Sequence, residues 1–251
     1  MTKFKVKLFL LLTIMGLVGV ASLLLSDLPL DSLPKEVREA IPHQTLRMII
    51  LINPALLVVL TTLLGTFLYD KVKLSVPLLE KLLDKAEQDT FSIRSVLLNG
   101  VIFGLAAGTL IVLTGIYFKS HLPAVLNDAT NSEQLHIATR LLYGGVSEEL
   151  LTRFGLMSFF AWMIFKVTKK LNSFTYISAI ILSAVLFALG HLPLVLQLVP
   201  DPDRITYTYV IAGNSVGGLI FGYAYWKSGL ECAFIAHAFA HLTMLTLNSL
   251  L

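Results

Sequence analysis

Two adjacent glutamates and an arginine, Glu148, Glu149 and Arg153, lie in a stretch around residues 144–153 that is otherwise apolar enough to cross a bilayer. Charged side chains at membrane depth cost about 2.5–3.5 kcal/mol each on insertion scales, so they are rare and usually mark a working site. Two further apolar stretches carry histidines, one running from Phe187 to His191 and one from His237 to His241. Carboxylates and imidazoles in a region poor in water suit proton transfer, metal binding or the activation of a water molecule. Three such anomalies in one chain point to chemistry inside the membrane.

In a helix, Glu149 and Arg153 are four residues apart and share a face, with the acid in the favourable N-terminal position. At 3.6 residues per turn, Glu148 sits about 100° around from Glu149 and roughly 140° from Arg153. The arginine can then neutralise Glu149 while Glu148 faces elsewhere as a proton acceptor. The competing reading is one buried ionic knot that holds helices together. Phe187 and His191 also share a face, and Pro193 follows at once. That proline weakens the helix beyond the histidine, where a freed carbonyl or wider cavity can admit water. A lone histidine at such a place also serves simply to bond a neighbouring helix. His237 and His241, four apart on one stripe, can chelate a metal, share one reacting oxygen, or merely pack between helices.

Composition decides what must position these groups. The chain has 251 residues, of which 56% are hydrophobic and 14% charged. A soluble domain would carry about 25% charged residues, so this reads as an all-α, polytopic transmembrane helical bundle. A bilayer core of about 30 Å needs roughly 20 apolar residues per helix. On that ruler spans fall near 8–25, 48–69, 95–118, 138–165, 174–197, 206–226 and 230–250, a bundle of about seven to eight spans. With the N-terminus inside, twelve Lys and Arg residues flank the inner ends and six the outer ends, Arg153 being left in the membrane. That bias obeys the positive-inside rule and places the N-terminus in the cytoplasm.

The net charge of +3 gives no sign of nucleic-acid binding. Cys232 is the single cysteine, so no intrachain disulfide can form. Residues 1–25 begin with basic residues and continue apolar, as a signal peptide does, but no small-x-small cleavage site follows. Residues 76–88 place Leu78, Leu79, Leu82, Leu83 and Ala86 on one face, which suits a helix lying on the inner surface. The chain divides on this reading into 1–92, membrane spans plus that surface helix, and 93–251, the part that holds the chemistry. His43, His121 and His136 fall in outer segments and face water. Gly213 with Gly217, and Gly218 with Gly222, give two small-xxx-small faces for close packing in the sixth span.

Depth is an independent check. At 1.5 Å per residue, Glu148 lies about 15 Å below the outer face and His241 roughly 16 Å above the inner one. His237 falls about 10 Å and His191 roughly 25 Å above the inner face. Four polar groups from three helices therefore come within reach of one cavity, with His191 fitting least well.

The order EExxxR, FxxxH and then HxxxN or HxxxD is the signature of the CPBP intramembrane proteases, the Abi or type II CAAX prenyl endopeptidase-like proteins. This chain resembles them. Glu148 to Arg153 matches the first motif, Phe187 to His191 the second, and Gly218 to Leu242 the family's final segment. The resemblance covers about residues 137–250. It implies an intramembrane endopeptidase acting on membrane-associated peptides or proteins in the lipid bilayer. By analogy, Glu148 with His191 activates water, and His237 with His241 polarises the scissile carbonyl. Glu149, Arg153 and Phe187 support the site. One departure stands out, since the family's Asn or Asp is His241 here. A neutral imidazole can donate to an oxyanion, so no cofactor is required by this mechanism. Glu148, His191, His237 and His241 also make a plausible zinc set. Two other functions compete: a non-catalytic membrane partner or bacteriocin-immunity protein, and a proton-coupled transporter, which would lack the usual inverted repeats.

Overall fold

The computed structural model describes residues 2–28, 30, 33–83, 92–126, 135–199 and 201–251. Among the described residues these helices follow one another: α1 Lys3–Ser22, α2 Lys35–Ala40, α3 His43–Leu68, α4 Pro77–Leu82, α5 Ile93–Phe118, α6 Ile137–Thr168, α7 Ser173–Gly190, α8 Leu192–Leu198, α9 Arg204–Ser228 and α10 Leu230–Leu250. No strand occurs among the described residues. The expected all-α transmembrane architecture is therefore the observed one.

Six helical stretches are long and apolar enough to cross a membrane, and with them the chain is an integral membrane protein. They are Lys3–Leu25, His43–Leu68, Ile93–His121, Ile137–Thr168, Ser173–Leu198 and Leu230–Leu250. Helix α9, expected as the span 206–226, has 25 residues and is long enough. Its Thr206, Thr208, Asn214 and Ser215 keep its mean hydropathy below that of the six, and it is packed against α5, α7 and α10. Leucines and isoleucines such as Leu10, Ile14, Leu56, Ile102 and Leu113 point outward, as a surface solvated by hydrocarbon requires.

Helix α6 runs through the middle. Its first half packs on α1 and α10, its second half on α3 and α7. Close approach is bought by small residues. On α1, a Cβ on Gly19 would come 2.5 Å from the Leu142 carbonyl oxygen of α6. On α5, Cβ atoms on Gly104 and Gly108 would each lie 2.6 Å from a carbonyl oxygen of α10, those of Ala236 and Ala240. Of the two glycine faces expected on α9, Gly218 and Gly222 do meet α7 at Ala184 and Ile180, whereas Gly213 faces open space.

Polar ties fasten both ends of the bundle. At one end the Lys5 ammonium pairs with Asp70 at 2.8 Å, joining the start of α1 to the end of α3. There Tyr176 donates to the Val72 carbonyl at 2.9 Å and the Leu230 amide donates to the Ser75 carbonyl at 3.1 Å. Glu231 accepts from the Leu79 amide at 2.9 Å, docking α4 on the foot of α10. Residues 84–88 of the expected surface helix lie outside the described residues. At the other end Ser26 donates to Thr139 at 2.9 Å and accepts from the His136 amide at 3.0 Å.

Within α6, residues Arg140–Glu148 and Leu150–Met157 are wound as π-helix. Such i→i+5 winding is rare, usually a single turn, and frequent at functional sites. Gly144, Gly145 and Gly155 ease it sterically, and the Thr152 hydroxyl takes up the Glu148 carbonyl at 2.6 Å. The helical break after Gly190 has a plainer cause. Pro193 sits in the first turn of α8 and cannot continue the ladder of α7, so His191 stands at the joint.

Candidate active site

The wide winding of α6 alters the geometry expected from 3.6 residues per turn. Glu148 and Glu149 do not diverge; both reach the same imidazole. His237 Nδ1 lies 2.8 Å from Glu149 Oε1, and His237 Nε2 lies 3.9 Å from Glu148 Oε2. Glu149 also pairs with Arg153 at 3.3 Å, and both are wholly buried. Glu148 keeps 19% of its side chain exposed. One acid is thus a structural anchor and the other faces the space around the histidines.

Beside Arg153, Glu149 Oε1 and His237 Nδ1 share one hydrogen-bonded proton, and the other ring nitrogen, Nε2, faces Glu148. A carboxylate behind an imidazole orients the ring and steadies its protonated form, as in hydrolase triads. The 3.9 Å between Nε2 and Glu148 is too long for a direct bond and suits a bridging water.

Arg153 would be costly at this depth without partners. Thr152 accepts from its Nη1, and its guanidinium lies 4.7 Å from the Phe187 ring centre and 5.4 Å from that of Phe221. Its Nε and Nη2 have no hydrogen-bond partner among the described residues, and the two aromatic faces take their place. Phe187 joins the groups together, edge-on to His191 at 4.7 Å and to His237 at 6.1 Å between ring centres.

His191 is positioned from within its own helix. The Phe187 carbonyl can only accept, so the 2.8 Å contact makes His191 Nδ1 the donor and leaves Nε2 as a lone pair. No hydrogen bond or ion pair among the described residues joins His191 to Glu148. His241 stacks on His237, with 4.9 Å between ring centres and 18° between planes. Its Nδ1 is buried with no partner among the described residues. Gly144 makes room for this ring, since a Cβ there would stand 2.6 Å from His241 Nε2.

Two contributors escaped the sequence reading. Phe221 of α9 stacks on His237 at 4.4 Å and 20°, yet in sequence it is an apolar residue in a glycine-rich stretch with no distinguishing mark. Gly144 lies four residues before Glu148, and only the approach of α10 shows why it has no side chain.

A zinc set fits this arrangement poorly. Among the described residues no three His, Cys, Asp or Glu side chains form a group able to hold a metal ion. The stacked rings of His237 and His241 run their in-plane lone pairs side by side instead of converging them, and His237 Nδ1 is taken by Glu149.

No curated protein and no solved structure matches the chain. Residues 130–243 match the family model described as Type II CAAX prenyl endopeptidase Rce1-like. Both acids, the FxxxH pair and both final histidines fall inside that match, so the part of the chain that carries the site is similar to the Rce1-like, or CPBP, family of membrane proteases.

Proposed function

We propose that the protein is an intramembrane endopeptidase that hydrolyses a peptide bond of a membrane-associated peptide or protein by way of a glutamate-activated water. The observation that carries this reading is the single imidazole of His237 held between two acids, 2.8 Å from one and 3.9 Å from the other. Glu148, beside the open space, takes a proton from the water as its oxygen attacks the scissile carbonyl carbon. His191, with Nε2 free, shares the task of orienting that water. His237 and His241 face the carbonyl oxygen, and the single N–H of the neutral His241 ring donates to the oxyanion as it forms. Glu148 then returns its proton to the amine as the C–N bond breaks. No step requires a metal.

The test is cleavage by purified protein in liposomes. Glu148→Ala and His191→Ala are expected to lower the rate at least a hundredfold, in keeping with about 10²–10⁴ for general acid–base catalysis, while insertion and folding persist. Unchanged cleavage by either variant ends the reading. Treatment with 1,10-phenanthroline or EDTA is expected to leave the rate unaltered, and loss of activity restored by zinc would instead favour metal catalysis.

A further inference from the structure

One charged group beside the histidines has no task in the reaction above. Arg140 stands on α6 four residues before Gly144, and Leu245 stands on α10 four residues after His241. Gly144 and His241 touch, so Arg140 and Leu245 face each other about one helical turn, roughly 5 Å, farther out. Between them lies an open cavity of about 300 Å³ lined by Leu135, His136, Ile137, Arg140 and Leu245. No acid among the described residues lines it. The Arg140 Nε donates to the Leu135 carbonyl at 3.1 Å, which holds the guanidinium on the rim, and among the described residues its terminal nitrogens have no hydrogen-bond partner. Among the described residues no carboxylate pairs with it. His136 Nδ1 accepts from the Ala138 amide at 3.2 Å, so the neutral ring carries its proton on Nε2 and adds a second donor to the same rim.

An apolar cavity whose described lining offers a half-buried arginine, a histidine donor and no acid is complementary to a carboxylate attached to an apolar peptide. An extended chain rises about 3.3 Å per residue, so a ligand with its carbonyl at His241 would bring a carboxylate to Arg140 within a few residues of the cut. We propose that Arg140 is a specificity-determining residue that holds a substrate carboxylate in this cavity. The carboxylate is either the C-terminus of the substrate or an acidic side chain near the scissile bond. This deepens the peptidase reading and rests on it.

The test measures binding, so that it stands apart from turnover. Full-length protein bearing Glu148→Ala, in nanodiscs, is titrated with three peptides: N-acetyl-leucyl-leucine as the free acid, the same peptide as its amide, and N-acetyl-leucyl-glutamyl-leucinamide. At least one peptide with a carboxylate is expected to bind about tenfold or more tighter than the neutral amide, as a charge-assisted arginine contact would give. Preference for the free acid alone assigns the C-terminus, and preference for the glutamyl peptide assigns the side chain. Adding Arg140→Gln is expected to abolish the preference, and Arg140→Lys to keep part of it. Equal affinity for all three peptides, or a preference that survives Arg140→Gln, overturns the proposal. Absence of proteolysis by the wild-type protein would instead strike the peptidase reading and leave this measurement standing.

Discussion

Glu148 and Glu149 are neighbours of one chemical type with opposite environments. Glu149 is wholly buried, hydrogen-bonded to His237 and paired with Arg153; replacing it by an amide leaves that arginine unpaired in the bundle interior. Breaking such a buried pair costs about 3–5 kcal/mol. Glu148, partly exposed, makes no direct side-chain hydrogen bond among the described residues and sits 3.9 Å from His237 Nε2. Glu149→Gln is therefore expected to lower the unfolding midpoint in detergent micelles steeply, whereas Glu148→Gln leaves it nearly unaltered and removes cleavage. Equal destabilisation by the two variants would mean that both acids are structural. The sequence distinguishes them only through Arg153 four residues on, which marks Glu149 as the partnered acid. It does not reveal that both point at one imidazole, because that depends on the local winding.

Winding belongs to the element. Glu148, Glu149 and Arg153 of α6, the joint at His191 after α7, and the histidine stripe of α10 all follow from spacing and from one proline, and were legible as such. The π-helical course of Arg140–Met157 was not, for apolar periodicity in a membrane is weak and two kinds of helix accommodate the same residues. The span expected at 206–226 shows the converse limit. Its length was right, and its neighbours take up part of its polarity, since Thr206 is buried and Asn214 half-buried against them. The meeting of α6 with α10 gives a test of how these helices serve the site. A methyl group added by Gly144→Ala would stand 2.6 Å from His241 Nε2, and the same change at Gly213 would meet nothing within 4 Å. Gly144→Ala is expected to displace the ring and lower cleavage about tenfold or more, since small misplacements of catalytic groups are costly. Gly213→Ala leaves activity intact and stabilises α9 by up to about 1 kcal/mol. Identical kinetics for the two variants would show that His241 does not act at the position found here.

The whole molecule has two unlike ends. One gathers the Lys5–Asp70 pair, the loop leading to Ser75 tied to α10, and two lysines lying over tryptophans, Lys166 at 5.5 Å from Trp162 and Lys227 at 3.7 Å from Trp226. Trp226 in turn stacks on Tyr176 at 5.0 Å. Aromatic rings beside lysines are the marks of a membrane interface, and the positive-inside rule predicts from the excess of lysine that this end faces the cytoplasm. The opposite end holds the joint of α1 with α6 through Ser26 and carries the cavity beside Arg140. Orientation thus decides from which side of the membrane a substrate carboxylate would approach. Cys232, the single cysteine, is buried, so an introduced thiol reports with little background. Glu36→Cys is expected to react with a membrane-impermeant maleimide in intact cells, and Lys71→Cys only after the membrane is opened. The reverse pattern would place the N-terminus outside and turn the Arg140 cavity toward the cytoplasm, with the bundle and the spacing of its acids and imidazoles unaffected.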